Sequence, residues 1–434
     1  MAGIFGVFSD KRCVEDLFWG TFYLQHRAQD YCGLAYREEN GKLKDITHKG
    51  LIRQQFPKEA LKAMRGRSGI GAVAGERQPL GELSTSGSMI LGFDGNLINH
   101  DLIKQDLLRE GASFSGYLSP EDVSDSALIA KIISRSRNFA DGVGKLSRKM
   151  MGDYAIVALT NGGVYAARGW GRKPLIIGRK NGAYAVSSES NSFPNTGFEI
   201  MRDVKPGEVV LLNENGVNSV ANLSLKPIEY GTFEWIYTAH PASVVDGLCV
   251  ADARLAIGRA LASRYPVEAD VVSPTPNSGR WHAIGYAQES KIPYEELYVR
   301  YDYSDRSYTP SEQEDRDEEA RTKLIPIASR IKGKRIVVVD DSIVRGTQML
   351  NRVRVLTELG AKEIHLRIAC PPLMAACRYG KTTKKDEDCI ARRMSIEQIQ
   401  QDLKAKSLCY ATVEDLEAAL RRPRSELCLD CWMA

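Results

Sequence analysis

The sequence has no long apolar run and no strong excess of one charge. A helix that spans a bilayer needs about 20 consecutive apolar residues, and the 434-residue sequence contains no such run, so we do not expect a membrane protein. The 59 basic and 55 acidic residues give a formal net charge of +4, which predicts no basic face for nucleic acid. The first residues, Met-Ala-Gly-Ile-Phe-Gly, lack the basic and apolar segments of a secretion signal. We therefore expect a cytoplasmic protein that binds neither membranes nor nucleic acid.

Cysteine occurs nine times, an odd number in a chain without a secretion signal. Reduced thiols or a metal site are therefore expected rather than disulfides. Cys13 and Cys32 are predicted to be packed core thiols. The hydrophobic content of 43% and the charged content of 26% are those of an ordinary globular protein, and the length is sufficient for two large domains.

One stretch in the second half combines an apolar run with two adjacent acids. Residues Ile336–Val339 are β-branched and apolar, which predicts a short buried strand. Asp340 and Asp341 follow immediately. Apolar residues at helical spacing come next and end at Gly360, where a helix is expected to stop. The stretch therefore predicts a strand, an acidic loop and a helix, as in an α/β unit.

The chemistry of this acidic loop indicates a sugar phosphate. Ligands of α/β sheets bind beyond the carboxyl ends of the strands, and free amides at a helix N-terminus suit a phosphate group. Two adjacent acids would repel a bare phosphate, but they suit a ribose diol or a hydrated Mg²⁺ ion. The plainer alternative is a solvated turn after a strand.

Residues 339–347, Val-Asp-Asp-Ser-Ile-Val-Arg-Gly-Thr, resemble the phosphoribosyl diphosphate (PRPP) loop of type I phosphoribosyltransferases. Residue by residue, this loop resembles that of the glutamine PRPP amidotransferase family, whose members catalyse the first committed step of purine synthesis. The resemblance implies that the acids hold the ribose hydroxyls and Mg²⁺, while the amides of residues 342–347 hold the 5-phosphate. The implied PRPP-binding residues are Asp340, Asp341, Ser342, Ile343, Val344, Arg345, Gly346 and Thr347.

A second loop, residues 274–279, resembles the family's pyrophosphate loop. Ser278 matches the family serine that offers an oxygen to Mg²⁺, so the implied metal ligands are Ser278, Asp340 and Asp341. Asn277 stands where the family has aspartate, and one negative charge is therefore absent. We expect binding to persist, because an amide can still orient a water bound to the metal.

The polar stretch from Tyr301 to Glu319 has no apolar period. It is either a disordered surface loop or a lid that closes over PRPP and excludes water. It resembles the corresponding family loop but is longer and more acidic. The resemblance implies that Arg306 and Lys323 are the catalytic residues, since cations stabilise the charge that builds on departing pyrophosphate.

The first half resembles a class II glutaminase domain of the N-terminal-nucleophile type. The matching segments are Gly3–Gly6, Leu24–Arg27, Asp94–Leu97 and Ser124–Asp125. Three chemical positions of the family are replaced, namely the nucleophilic cysteine by Ala2, the arginine that grips the glutamine carboxylate by Ala74, and the oxyanion-hole asparagine by Asp94. Of the positions that contact glutamine, only Asp125, which holds the substrate amine, is retained.

Each replacement removes a separate part of the chemistry. Alanine has no nucleophilic atom, so no thioester can form at residue 2. An ionised Asp94 cannot donate a hydrogen bond to an oxyanion and would repel it. A single nucleophile-to-alanine change could be an experimenter's substitution, but three independent losses indicate a naturally degenerate glutaminase domain.

The C-terminal Cys428-Leu-Asp-Cys431 is a C-x-x-C pair. Some family members use such a pair, with two distant cysteines, to hold an iron–sulfur cluster. Cys377 matches one distant ligand, whereas the other falls at Gly231, which cannot ligate, and Cys249 is near but not at that position. The resemblance thus implies three of four cluster ligands, and the alternative is a pair of free thiols.

We predict two domains. Residues 1–225 are expected to form an α+β sandwich of the N-terminal-nucleophile type, and residues 226–434 an α/β type I phosphoribosyltransferase domain with a parallel sheet and a C-terminal helical tail. The predicted enzyme transfers an amine, with ammonia favoured, to C1 of PRPP and releases pyrophosphate, without glutaminase activity of its own. We expect a homo-oligomer, with a separate glutaminase as a potential partner.

The alternative is a catalytically silent subunit that senses PRPP or a nucleotide and pairs with an active homologue. The intact acidic loop and Lys323 favour the enzyme, whereas Asn277 and the degenerate first half favour the sensor.

Overall fold

The computed structural model describes residues 1–84, 87–117, 119–301, 324–380 and 385–433. The chain forms two units, which we call the N-terminal and C-terminal units. The N-terminal unit comprises Met1–Thr232, Thr238–Cys249 and Arg378–Lys381, and the C-terminal unit comprises Phe233–Tyr237, Val250–Cys377 and Thr382–Ala434. The predicted boundary after residue 225 lies shortly before the first change of unit.

The N-terminal unit contains two antiparallel sheets. Its described strands are β1 (Ala2–Ser9), β2 (Tyr31–Arg37), β3 (Leu43–Lys49), β4 (Ser68–Ala74), β5 (Leu80–Ser84), β6 (Gly87–Leu97), β7 (Gly152–Thr160), β8 (Gly163–Arg168), β9 (Ile176–Lys180), β10 (Ala183–Ser187), β11 (Glu199–Asp203), β12 (Glu208–Asn213), β13 (Gly216–Asn222), β14 (Val244–Val245) and β15 (Leu248–Cys249). One sheet has the order β11-β9-β10-β1-β4-β2-β3 and the other β13-β12-β8-β7-β6-β5, while β14 and β15 form a small hairpin.

The two large sheets pack face to face and carry helices on their outer faces. The helices are α1 (Val14–Phe22), α2 (Ile52–Gln55), α3 (Lys58–Ala63), α4 (His100–Arg109), α5 (Asp125–Ser134) and α6 (Phe139–Lys149). The alternation in β1 shows how the sequence makes these layers. Ile4 belongs to the core between the sheets, whereas Phe5 and Val7 pack in the cluster that contains α1 and α2. Successive strand side chains point to opposite faces, so one strand serves two cores.

The C-terminal unit is built around a four-stranded parallel sheet. Its elements are α7 (Val250–Arg264), β16 (Val271–Pro274), α8 (Arg280–Ser290), β17 (Tyr298–Arg300), β18 (Leu324–Pro326), α9 (Ala328–Ile331), β19 (Arg335–Asp340), α10 (Thr347–Glu358), β20 (Glu363–Ile368), α11 (Ile396–Asp402), β21 (Ser407–Tyr410) and α12 (Val413–Leu420). The sheet order is β16-β19-β20-β21, and each neighbouring pair is parallel. Among the described helices, none has the length and apolar character needed to cross a membrane.

The predicted fold class is confirmed in both units: an antiparallel sandwich with helices, and a parallel α/β sheet. The predicted strand Ile336–Val339 is β19, and Gly360 ends the following helix with φ +85°. Among the described residues, the N-terminal unit has six helices. Its edge strands β3 and β13 have part-exposed residues that give little apolar alternation in the sequence.

Helices α7 and α8 cross at unusually close range because two glycines lie at the crossing. A Cβ atom added to Gly258 would lie 2.0 Å from the backbone oxygen of His282. A Cβ added to Gly285 would lie 2.2 Å from the backbone oxygen of Leu255. Both distances are far inside van der Waals contact, and both obstacles are backbone atoms that cannot rotate away.

We predict that Gly258→Ala destabilises the protein. Alanine ordinarily stabilises a helix interior by about 0.5–1 kcal/mol relative to glycine, but here overpacking should lower the free energy of unfolding by about 1–3 kcal/mol. Urea denaturation measures the difference. The exposed neighbour Arg259→Ala serves as the control and should change stability by less than about 0.5 kcal/mol. An alanine variant as stable as the wild type would contradict the close packing.

Candidate functional site

The acid pair of the C-terminal unit lies at the carboxyl end of its parallel sheet. Asp340 is the last residue of β19, and Asp341 opens the loop that follows. Both residues are only 5% exposed. Strand β16 pairs with β19 in parallel, with Pro274 opposite Val339, so the loop after β16 reaches the same edge of the sheet.

The two carboxylates have different hydrogen-bond partners. Asp340 Oδ1 accepts from the Asp341 amide at 2.9 Å and from Ser278 Oγ at 3.4 Å, while Asp340 Oδ2 accepts from Arg352 Nη1 at 2.7 Å. Asp341 Oδ2 accepts from Ser342 Oγ at 2.5 Å. Burial and the neighbouring Asp340 charge raise the pKa of Asp341 to about 7. The pair therefore combines one carboxylate with an arginine partner and one without.

The loop from Ser342 to Thr347 leads directly into a helix N-terminus. Gly346 precedes α10 with φ +84°, a left-handed conformation that glycine adopts without a steric penalty. Ile343 is buried and anchors the loop on its inner side. The first amides of a helix have no partner within the helix, and the helix dipole favours an anion there. This geometry suits a phosphate group.

The outer side of the same loop is braced by residues that follow it in the chain. Val344 O accepts a hydrogen bond from the Ile390 amide at 2.8 Å. Arg345 donates from Nε and Nη2 to the two carboxylate oxygens of Asp388, at 3.0 and 2.8 Å. The Arg345 side chain is therefore directed to Asp388, so any contact between this residue and a phosphate would come from its backbone amide.

The oxygen atoms gathered at this edge suit Mg²⁺. Ser278, Asp340 and Asp341 supply one hydroxyl and two carboxylates, all hard oxygen donors of the kind that Mg²⁺ prefers. Arg306 and Lys323, and all but the first residue of the predicted lid, lie outside the described residues.

One further residue at this edge, Arg352, was not identified from the sequence. Arg352, on α10, donates from Nη1 to Asp340 Oδ2 and also to Thr275 Oγ1 at 3.0 Å. An arginine between helical apolar positions is ordinarily a solvated residue, and no local pattern indicates its partner. The register of α10 against β19 brings the arginine to the acid pair.

In the N-terminal unit, the two replaced alanines are neighbours. Ala2 on β1 and Ala74 on β4 face each other in the antiparallel register, and they are 3% and 1% exposed. Neither side chain offers a nucleophile or a cation. The position of the family's nucleophile and that of its carboxylate-binding arginine are thus a pair of buried methyl groups.

Asp94, which the sequence resemblance aligns with the oxyanion-hole position, is fully buried and ion-paired. Its Oδ1 accepts from the Ala2 amide at 2.8 Å, and its Oδ2 accepts from Arg27 Nη2 at 2.9 Å. Lys173 Nζ lies 3.7 Å from Oδ1. Burial acts to raise the pKa of Asp94, but Lys173 and Arg27 outweigh burial and hold the pKa below its ordinary value. The carboxylate is therefore ionised and can only accept hydrogen bonds.

Glu189 completes the same buried network. Its Oε1 contacts Arg27 Nη1 at 2.7 Å and His26 Nε2 at 2.8 Å, and its Oε2 accepts from the His240 amide at 2.7 Å and from Ser243 Oγ at 2.8 Å. Burial acts to raise the pKa of Glu189, whereas the contacts with His26 and Arg27 lower it well below its ordinary value. Arg27 thus bridges two buried carboxylates. The sequence match had included Arg27 without indicating this role.

Asp125 is retained but is engaged within the N-terminal unit. Its Oδ1 lies 2.7 Å from His100 Nδ1, and its Oδ2 accepts from the Leu97 amide at 3.3 Å. Ser124 caps the N-terminus of α5, and its side chain accepts from the Ala127 amide.

The three cysteines predicted to hold an iron–sulfur cluster, Cys377, Cys428 and Cys431, lie near one another in the C-terminal unit. Burial, followed by the nearby Cys377 and Cys428, raises the pKa of the Cys431 thiol. In the N-terminal unit, a Cβ atom added at Gly231 would lie 2.2 Å from the Arg172 backbone oxygen, so this position has no room for a side chain. The matching positions supply three of the four cysteines that such a cluster needs, so they do not fit a four-cysteine cluster.

Comparison with known proteins places these features in a family. Residues 66–195 match the model of the glutamine amidotransferase domain. The amidophosphoribosyltransferase of Methanothermobacter thermautotrophicus is 35% identical over 99% of this chain and 93% of the relative. That of Bacillus subtilis is 34% identical over 99% of this chain and 92% of the relative. The chain belongs to the amidophosphoribosyltransferase family. This is a family of phosphoribosyltransferase enzymes, which confirms the resemblance and the enzyme class predicted from the sequence.

The solved structures agree with this family assignment. The Bacillus subtilis glutamine PRPP amidotransferase, complexed with ADP and GMP, matches with a TM-score of 0.90 at 34% identity over 99% of this chain and 96% of that chain. This chain, which has alanine at residue 2, therefore has the fold of that enzyme.

We predict that Asp94→Asn destabilises the protein strongly at neutral pH. The substitution removes the carboxylate beside Lys173 and one of the two carboxylates that Arg27 bridges, and breaking a buried ion pair costs about 3–5 kcal/mol. Because the pKa of Asp94 is lowered on folding, its contribution is complete above the unfolded pKa near 4 and is lost as the pH falls through the folded value. Urea denaturation between pH 7 and 3 should therefore show the wild-type and variant curves converging in acid.

The surface pair Glu38–Lys44 provides the control for this prediction. Glu38→Gln also neutralises a carboxylate with a basic partner, but in solvent, so its stability should stay close to that of the wild type at neutral pH. A difference for Asp94→Asn that grows as the pH falls would contradict an ionised Asp94.

Proposed function

We propose that this chain transfers ammonia to C1 of PRPP, releases pyrophosphate and forms 5-phosphoribosylamine, without glutaminase activity of its own. The observation that carries the proposal is the buried acid pair beside a loop that leads into a helix N-terminus. Membership of the amidophosphoribosyltransferase family supports the reaction class, since its members are named for transfer of an amino group to a phosphoribosyl unit.

In the proposed step, the nitrogen lone pair of ammonia attacks C1 of the ribose. The C1–N bond forms as the bond from C1 to the pyrophosphate oxygen breaks, and the bonding electrons leave with pyrophosphate. The new ammonium group then loses one proton to solvent. The carboxylates of Asp340 and Asp341 accept hydrogen bonds from the ribose hydroxyls, and the amides of residues 342–347 hold the 5-phosphate.

Charge on the leaving group must be stabilised as the C1–O bond breaks. We assign this role to Arg306 and Lys323, on the family resemblance alone. Ser278, Asp340 and Asp341 would hold Mg²⁺, which when bound neutralises part of the pyrophosphate charge. A homo-oligomeric state, a cytoplasmic location and a separate glutaminase partner stay predictions.

The absence of glutaminase activity is proposed from the buried network around Arg27. Residue 2 has no nucleophile, and Asp94 is a charged acceptor where an oxyanion would need a donor. Ala74 leaves no cation for the glutamine carboxylate at the family's position. The guanidinium of Arg27 cannot take that role without releasing Asp94 and Glu189.

We predict that ammonium supports pyrophosphate release from PRPP and Mg²⁺, whereas glutamine does not. Ammonia is mostly protonated at pH 7, and only the free base attacks. The rate should therefore rise with pH until another group titrates. A coupled pyrophosphate assay measures it, and glutamate release is measured in parallel.

Three outcomes would count against parts of this proposal. Glutamate release above the uncatalysed rate would contradict the degenerate glutaminase. If the rate of pyrophosphate release did not depend on ammonium concentration but saturated with another amine, that amine and not ammonia would be the nucleophile. If PRPP bound but no amine reacted, a PRPP-sensing subunit would replace the enzyme.

We predict that PRPP binding depends on both acids of the pair. The double variant Asp340→Asn, Asp341→Asn keeps the phosphate contacts but loses charged contacts to the diol and the metal. Each charged hydrogen bond contributes about 1.5–3 kcal/mol, so the affinity for PRPP in the presence of Mg²⁺ should fall by more than about tenfold. Isothermal titration calorimetry measures the change.

Asp270→Asn is the matched control. Asp270 pairs with Arg335 at the opposite, amino end of β19, with an oxygen 2.9 Å from Arg335 Nη2. This variant should bind PRPP as the wild type does. Unchanged affinity in the double variant would refute the assigned site.

A further inference from the structure

We infer that Arg352 is a positioning residue that supplies the PRPP site with a built-in cation for Asp340, so that of the proposed metal ligands Asp341 is the carboxylate that binds a metal ion more strongly. The inference rests on the proposed function, because it divides roles within the same acid pair. Arg352 lies on α10, outside the loop of residues 340–347 that resembles the PRPP loop.

The first argument is the number of donors that Asp340 already has. Its Oδ2 accepts from Arg352 at 2.7 Å, and its Oδ1 accepts from the Asp341 amide and Ser278 Oγ. Three of the roughly four lone-pair positions of this carboxylate are thus occupied. A metal ion bound at the remaining position would lie beside the positive charge of Arg352, which repels it.

The second argument is the contrast with Asp341. Among the described residues, no basic nitrogen lies within 4.0 Å of its carboxylate, and its side-chain donors are the neutral hydroxyls of Ser342 and Ser278. The two acids are both 5% exposed, so they differ in charge compensation and not in burial. A divalent cation is attracted most strongly to the carboxylate whose charge is not already neutralised.

The third argument is that Arg352 is held in place. Met349 and Val353 on α10 are buried on either side of it in sequence, which fixes the helix against the sheet. The Arg352 backbone oxygen accepts from Tyr298 Oη at 3.0 Å. Its guanidinium also donates to Thr275 Oγ1, in the loop that contains Ser278. One side chain therefore joins the acid pair to the loop after β16.

A purely structural role is the alternative, since a buried ion pair also holds elements together. The two roles predict different responses of metal binding. Removing a charge that only supports the fold would weaken every ligand of the site. Removing a charge that competes with a metal ion would strengthen metal binding while weakening binding of the anionic PRPP.

The test uses the full chain and variants that separate charge from hydrogen bonding. Arg352→Gln removes the charge and keeps a donor, whereas Arg352→Lys keeps the charge. Arg352→Met is a second charge-free variant, for use if the glutamine variant does not fold. Arg354→Gln is the matched control, because Arg354 lies on the same helix and pairs only at 3.9 Å with the exposed Glu358. Thermal unfolding checks that each variant is folded.

Two affinities are measured for each protein: that of Mn²⁺ for the free protein, by electron paramagnetic resonance, and that of PRPP at fixed Mg²⁺, by calorimetry. For Arg352→Gln we expect Mn²⁺ to bind about tenfold more tightly and PRPP about tenfold more weakly, because the site gains one net negative charge. Arg352→Lys and Arg354→Gln should stay within about threefold of the wild type on both measures.

If a folded charge-free variant does not bind Mn²⁺ more tightly than the wild type, the inference is overturned, whether or not its PRPP affinity changes. A gain shared by Arg352→Lys also overturns it, because lysine keeps the charge. If the wild type fails to bind PRPP, the proposed function fails, while a gain in Mn²⁺ affinity would still support compensation of Asp340 by Arg352.

Discussion

Burying a carboxylate is the constraint on which both units depend. Removing an ionised acid from water costs several kcal/mol unless charges or donors replace the lost hydration. The N-terminal unit meets this cost with Arg27, which bridges Asp94 and Glu189. The C-terminal unit meets it with Arg352, but only for Asp340. In both units an arginine therefore compensates a buried carboxylate. In the N-terminal unit Arg27 contacts both acids, whereas in the C-terminal unit Arg352 contacts Asp340 and not Asp341.

That difference separates a structural network from the proposed binding site. All four oxygens of Asp94 and Glu189 have donors within the N-terminal unit, so a ligand would have to break existing bonds to enter. In the acid pair of the C-terminal unit, burial and repulsion raise the pKa of Asp341, which shows that its charge is incompletely compensated. A group destabilised in this way has the most to gain from a cation or a hydroxyl donor.

The sequence predicted what depends on local order and failed where distant residues meet. The strand before Asp340 follows from four consecutive apolar residues, and the helix stop at Gly360 from its freedom to adopt a positive φ. The network around Arg27 joins residues 162 positions apart, and no periodicity indicates such a contact. Arg352 is local to the loop but was missed, because helical spacing alone does not show which charged side chain meets a buried acid.

The replacements at residues 2 and 94 of the N-terminal unit are chemically linked and not merely additive. A cysteine restored at residue 2 would sit beside Asp94, whose carboxylate accepts the amide of that residue at 2.8 Å. A buried negative charge at this range raises the pKa of a thiol and so disfavours the thiolate. Conversely, an asparagine restored at residue 94 would leave Arg27 and Lys173 with less negative charge than they need. A cysteine at residue 2 and an asparagine at residue 94 are therefore each disfavoured by the present network, in which Asp94, Arg27 and Lys173 compensate one another's charge.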